Sequence, residues 1–171
     1  MNAVIVGCGR VGAGMADQLD RAGWKVLILD TRSAAFDRLP SSFGGTAIRG
    51  DGTDEDVLRR AGAEGADLFL ALTEGDNRNI MATQLALEAL GARQTVAKVN
   101  DPVRSEAYAH LGIATICRTN LMADAIAAFA GLAIPDRPGI AAPVVPHHEA
   151  QGHAPAEAGT ADDAGSAGGE R

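Results

Sequence analysis

Six residues near the N-terminus, Gly7-Cys8-Gly9-Arg10-Val11-Gly12, read GxGxxG. The spacing alone is weak; its surroundings give it force. An apolar run, 3–6, leads into it without a gap, and an amphipathic stretch, 10–22, follows. The glycines therefore sit between a strand and a helix. Asp30 closes the next apolar run, 18 residues beyond Gly12, near the roughly 20 at which an acid meets a ribose in such a unit. Each glycine has its own physical reason. Gly7 permits a tight turn, Gly9 lets a pyrophosphate approach the backbone, and Gly12 lets helix and strand pack closely. The helix start offers unpaired N–H groups and a partial positive charge to the anion. Asp30 is placed to accept from a ribose diol, and its charge opposes a 2′-phosphate. The residues thus favour NAD or an adenosine nucleotide over NADP.

The rest of the first 134 residues repeats the same alternation. Strands are predicted over 3–6, 25–29, 46–49, 67–72, 95–99 and 114–117. Helices are predicted over 10–22, 33–39, 54–61, 76–90, 102–111 and 120–132. Gly23, Gly62, Gly91 and Gly112 fall just past helix patterns, where a left-handed cap favours glycine. Thr53 precedes Asp54, Glu55 and Asp56, which suits an N-cap followed by acids at the positive helix end. Six such units give an α/β fold: a Rossmann-like, doubly wound, parallel six-stranded sheet with helices on both faces.

Further polar residues gather where strands end, the side on which this fold binds ligands. Arg10 stands at the first helical position, where a cation opposes the helix dipole; a bound phosphate would supply the counter-charge. Asp51 follows the third strand, placed either to accept from an adenine amino group or to cap the next helix with Thr53. Thr73 and Glu74 follow the fourth strand, and Asn79 lies one turn inside the next helix, facing cleft or solvent. Lys98 interrupts the apolar run of the fifth strand, and a phosphate or a carboxylate such as Asp51 or Glu74 is its expected partner. Cys8, between two glycines, meets the ligand through its backbone whatever its thiol does. Val11 belongs to the same turn.

Composition excludes several classes. Fifteen basic residues against 22 acidic give a net charge of −7, which argues against binding nucleic acid or an anionic membrane. No apolar run approaches the roughly 20 residues of a membrane span. Met1-Asn2-Ala3-Val4 enters a strand pattern with no basic region, so no secretion signal is expected. The two cysteines, Cys8 and Cys117, have no metal-ligand spacing. His110 is the only histidine before residue 135, and no nucleophile–base constellation accompanies it. A cytoplasmic protein without catalysis is expected. Residues 135–171 hold 9 Ala, 6 Gly and 5 Pro, no aromatic residue and no period, and read as a disordered tail.

Taken together, Gly7 to Gly12 with Arg10 in a GxGRxG form, Asp30, Gly50-Asp51-Gly52-Thr53, Thr73 with Asp76 and Asn79, and Ala97-Lys98-Val99-Asn100-Asp101-Pro102 resemble a known family. It is the nucleotide-binding N-terminal half of the RCK or KTN domain (TrkA-N) of Trk- and Ktr-type potassium uptake systems. The resemblance spans about three quarters of the chain. It implies a cytosolic regulatory subunit, peripheral at the inner face of the membrane, that binds NAD(H) or ATP/ADP. Its implied partner is a membrane-embedded potassium transporter or channel subunit. It implies a homodimer or higher ring, and nucleotide contacts at Gly7, Cys8, Gly9, Arg10, Val11, Gly12, Asp30, Asp51, Thr73, Glu74 and Lys98. The family usually continues into a smaller C-terminal domain; here the pattern runs into the tail, and a second regulatory subunit would supply that half. Two other readings compete: a minimal NAD-dependent oxidoreductase acting with a partner chain, and a nucleotide-dependent scaffold.

Overall fold

Glycine-punctuated runs of this length leave each strand one direction and each helix one crossing to make. The computed structural model describes residues 1–135. In chain order the elements are β1 (Asn2–Val6), α1 (Arg10–Arg21), β2 (Lys25–Asp30), β3 (Thr46–Arg49), α2 (Glu55–Ala61), β4 (Leu68–Ala71), α3 (Asp76–Glu88), β5 (Thr95–Val99), α4 (Pro102–His110), β6 (Thr115–Cys117) and α5 (Arg118–Phe129). The sheet is parallel throughout, in the order β3-β2-β1-β4-β5-β6. β1 lies between β2 and β4, with Val6 beside both Leu29 and Ala71. The strand order reverses there, which opens a crevice at the carboxyl ends. The disordered tail expected from residue 135 falls, from residue 136 onward, outside the described residues.

Strand alternation sorts the core into two faces. Val4, Val6, Leu27, Leu29, Phe69 and Ala71 pack with Leu58 of α2 and with Ala82 and Ala86 of α3. Ile5, Ile28, Leu70 and Leu72 pack instead with Ala13 and Ala16 of α1. Alanines at these helical contacts let the backbones approach, which is how a chain with 4% aromatic residues fills its core.

Two local expectations are corrected. Residues 33–39 do not form an α-helix; Ser33–Arg38 is a 3-10 helix. Pro40 is the cause, because it pushes the preceding residue out of the helical region, and Leu39 is extended at φ −73°, ψ 138°. The N-cap of α2 is Asp54 rather than Thr53; its side chain accepts from the Val57 N–H at 3.1 Å. Thr53 is unavailable because its hydroxyl donates to Asp51 at 2.8 Å. The capping glycines behave as expected: Gly23, Gly62, Gly91 and Gly112 all have φ between +66° and +84°. No described helix is long and apolar enough to cross a membrane.

Candidate functional site

A cleft of about 370 Å³ opens at the carboxyl ends of β1 to β4. Gly7, Gly9, Asp30, Asp51, Thr73 and Glu74 line it, as the motif and the strand ends require. Cys8, Arg10, Val11, Gly12 and Lys98 do not.

The three glycines differ in what demands them. Gly7 has φ +103°, and a side chain there would press within 2.9 Å of the Thr73 nitrogen. At Gly12 a methyl group would stand 1.9 Å from the Gly7 carbonyl oxygen. Gly12 is therefore what lets α1 seat against the turn. At Gly9 a methyl group would meet nothing within 4 Å. Its backbone, φ −79° and ψ −169°, is open to any residue. The protein's own packing does not ask for glycine at position 9; the space it leaves faces the cleft. Beside it, α1 starts with no side-chain cap and no acid in its first turn, whereas Asp54 and Asp101 cap α2 and α4. The partial positive charge of α1 is left for whatever enters.

Asp30 is half-buried and ties the turn to β2. Oδ2 accepts from the Cys8 N–H at 2.9 Å, and Oδ1 accepts from the Arg32 N–H at 2.9 Å. The Arg32 guanidinium stands 3.7 Å away. This corrects one expectation: the Cys8 N–H is turned to Asp30, not to the cleft. Each carboxylate oxygen keeps a second lone pair for a ligand hydroxyl. Burial, then the charge of Asp30, push the Cys8 thiol up, so it stays protonated and unreactive at neutral pH.

Asp51 accepts from the Thr53 N–H at 2.9 Å and from the Thr53 hydroxyl. The Thr53 N–H first, then its hydroxyl, hold the Asp51 carboxyl below the usual carboxylate range. Asn79 faces neither cleft nor solvent. It is fully buried, accepting from the Thr73 N–H at 2.8 Å and the Thr73 hydroxyl at 2.6 Å. Its amide donates to the carbonyls of Thr73 at 3.0 Å and Lys98 at 2.7 Å. Asn79 thus clasps the end of β4 to β5. Lys98 is buried, and its ammonium lies 3.4 Å from Glu74 Oε1. Its partner is one of the two carboxylates expected. Arg10 is exposed and borders a shallow depression with Asp17 and Arg38, outside the cleft. The structure does not bring it to the other predicted residues.

Sequence reasoning passed over two arginines, and it named Asp76 without its partners. Arg32 and Arg78 line the cleft. Asp76 accepts from the Asn100 N–H at 2.9 Å, the Asn100 amide at 2.8 Å and the Asp101 N–H at 3.2 Å. Burial raises the Asp76 carboxyl, but these donors outweigh it and hold the group below the usual range. Arg32 was findable two residues past Asp30. Nothing local marks Arg78, and the partners of Asp76 are ones that only the sheet order assembles.

The TrkA-N domain family model matches residues 3–119. The chain is 44% identical over 124 residues to the Trk system potassium uptake protein TrkA of Streptomyces coelicolor, covering 72% of this chain and 56% of that protein. It spans about half the length of the curated relatives it matches. Among solved structures it is similar to the TrkA-N domain of inner membrane protein ybaL from Escherichia coli, at TM-score 0.66 and 18% identity, covering 75% of this chain and 95% of that one. It is also similar to the Shewanella denitrificans Kef CTD in AMP bound form, at TM-score 0.62 and 24% identity, covering 76% and 79%. These two show the fold.

Proposed function

The chain belongs to the TrkA-N domain family, and on that premise we propose that it is a regulatory subunit of potassium transport whose cleft binds an adenine nucleotide, NAD(H) or ATP/ADP. The observation that carries the nucleotide is Gly9. Gly7 and Gly12 answer to the chain's own atoms, while Gly9 leaves open space on the lining of the cleft. The uncapped start of α1 supports an anion there. Asp30, with a free lone pair on each oxygen, supports a ribose diol beside it. The potassium role is supported by the TrkA relative at 44% identity. The polar groups of the cleft hold rather than react. Asp30 and Asp51 accept from backbone N–H groups, and Thr73 is clasped by Asn79. Groups so engaged position a ligand and do not shuttle protons, which supports a sensor rather than an enzyme.

In this reading residues 1–134 are the nucleotide domain and 135–171 a tail that adds nothing to the fold. The protein works in the cytoplasm against the inner face of the membrane, as a homodimer or ring, touching a membrane-embedded potassium transporter or channel subunit. Nucleotide shifts the partner by binding two arrangements of the assembly with different affinity. The test is potassium uptake in cells lacking the gene, complemented with the natural protein or with Asp30→Ala. Loss of the gene is expected to change uptake, and Asp30→Ala is expected not to restore it. Uptake indifferent to the gene would remove the potassium role.

A further inference from the structure

Arg78 is the cleft guanidinium that the fold does not use. It lies in the first turn of α3 and lines the cleft. The other charged groups of the lining are engaged: Arg32 with Asp30, Glu74 with Lys98, and Asp51 with Thr53. No carboxylate among the described residues lies within ion-pair distance of Arg78. Gly75 makes room for it. A methyl group on that glycine would stand 3.0 Å from Nε and 3.3 Å from Nη2, so the guanidinium rests over a bare backbone. Its charge falls on Asp51, where it adds to the lowering that Thr53 causes. The cleft lining holds no aromatic residue. A purine has two flat faces to cover, and a guanidinium is planar, weakly hydrated and attracted to a π face.

Resting on the reading of this cleft as an adenine-nucleotide site, we propose that Arg78 is its base-recognition residue, stacking its guanidinium on one face of the purine at the Asp51 end. Asp51 then meets the base edge and Asp30 the ribose, and Arg78 takes no part in binding phosphate. A stacking residue acts on every ligand that carries the base, however many phosphates follow.

The experiment is titration calorimetry of the full chain with adenosine, AMP, ADP and ribose 5-phosphate, for the natural protein, Arg78→Ala and Arg78→Lys. Arg78→Ala is expected to weaken adenosine, AMP and ADP by one common factor of roughly 3- to 30-fold and to leave ribose 5-phosphate unchanged. Arg78→Lys keeps the charge without the plane and is expected to do no better than alanine. Melting without ligand is expected to be unaffected, since Arg78 is exposed. A loss that grows with phosphate number and is absent for adenosine would make Arg78 a phosphate cation and overturn the proposal. Unchanged affinity in Arg78→Ala would overturn it as well. Failure of the natural protein to bind any of the purine ligands would instead remove the nucleotide site, and the proposal with it.

Discussion

The first and last helices of the described residues are both twelve residues long and meet the protein in opposite ways. α1 buries Gly12, Ala13 and Ala16. α5 buries none of its residues, although it carries Leu121, Met122, Ile126 and Phe129, the last of them 95% exposed. Apolar content does not explain the difference, because α1 has Val11, Met15 and Leu19 of its own. Small residues do not explain it either, because α5 carries Ala123, Ala125, Ala127 and Ala128; the difference is the sheet face that α1 has beneath it. Gly12 touches the Gly7 carbonyl, and Ala13 and Ala16 sit on Ile5 and Ile28. The α1 end of the molecule is complete within one chain. At α5 the described residues leave an apolar surface uncovered, which favours association over solvent, and the proposed homodimer uses it.

The sharpest test of the α1 side is Gly12→Val. A side chain 1.9 Å from a backbone oxygen must push the helix off the turn. The expected loss is on the order of 3 kcal/mol, read from urea unfolding. Its foil is Gly9→Ala, where stability is expected to stay within about 0.5 kcal/mol while nucleotide affinity drops. Equal destabilisation by the two would mean that Gly9 serves packing and would undo the distinction between them.

Asn79→Ala comes next. It removes the partner of the half-buried N–H of Thr73 and of the carbonyls of Thr73 and Lys98. Stability is expected to fall by about 2 to 3 kcal/mol. A loss near zero would show that the clasp between β4 and β5 is redundant.

Acid should act through Asp76 and Asp51. Both carboxyls are held below their ordinary values, near 3.9 for an aspartate in an unfolded chain. A depressed folded value contributes stability that is fully present above the unfolded value and lost as pH falls through the folded one. Melting temperature is therefore expected to hold from pH 7 to about 5 and to fall below about pH 4. Asp76→Asn should melt lower at pH 7 and lose less on acidification. Parallel curves for the two proteins would show that the donors from Asn100 and Asp101 do not favour the charged carboxyl.

The smallest expected change in folding is at α5. Phe129→Asp should shift stability of the domain by no more than about 0.5 kcal/mol, since the ring contacts little. In light scattering the same variant should turn the proposed dimer into a monomer. A natural protein already monodisperse as a monomer at micromolar concentration would leave α5 without the proposed role.

The sequence made the scaffold readable because its signals are local. β3 and β5 fall on the predicted residues, 46–49 and 95–99, since each is an apolar run bounded by turn residues. The glycine turn and Asp30 were readable for the same reason: strand, turn, helix and acid lie within 30 residues of the chain. Where reading failed, a neighbour had intervened. Pro40 tightened the helix before it, and Asp51 drew Thr53 away from the cap. The clasp of Asn79 on Lys98 and the latch of Asp76 on Asn100 join residues 19 and 24 positions apart. No periodicity announces such pairs; they exist once β4 and β5 lie side by side.

The central claim is that the cleft at the carboxyl ends of β1 to β4 takes an adenine nucleotide with an unmodified ribose. Thermal melting of the full chain with NAD, ADP and NADP tests it most directly. A ligand bound only by the native state, at 100 times its Kd, stabilises by about 2.7 kcal/mol. NAD or ADP should raise the melting temperature accordingly. NADP should do so far less, because its 2′-phosphate meets the Asp30 carboxylate. No shift with any of the three, or a shift with NADP equal to that with NAD, would contradict the account.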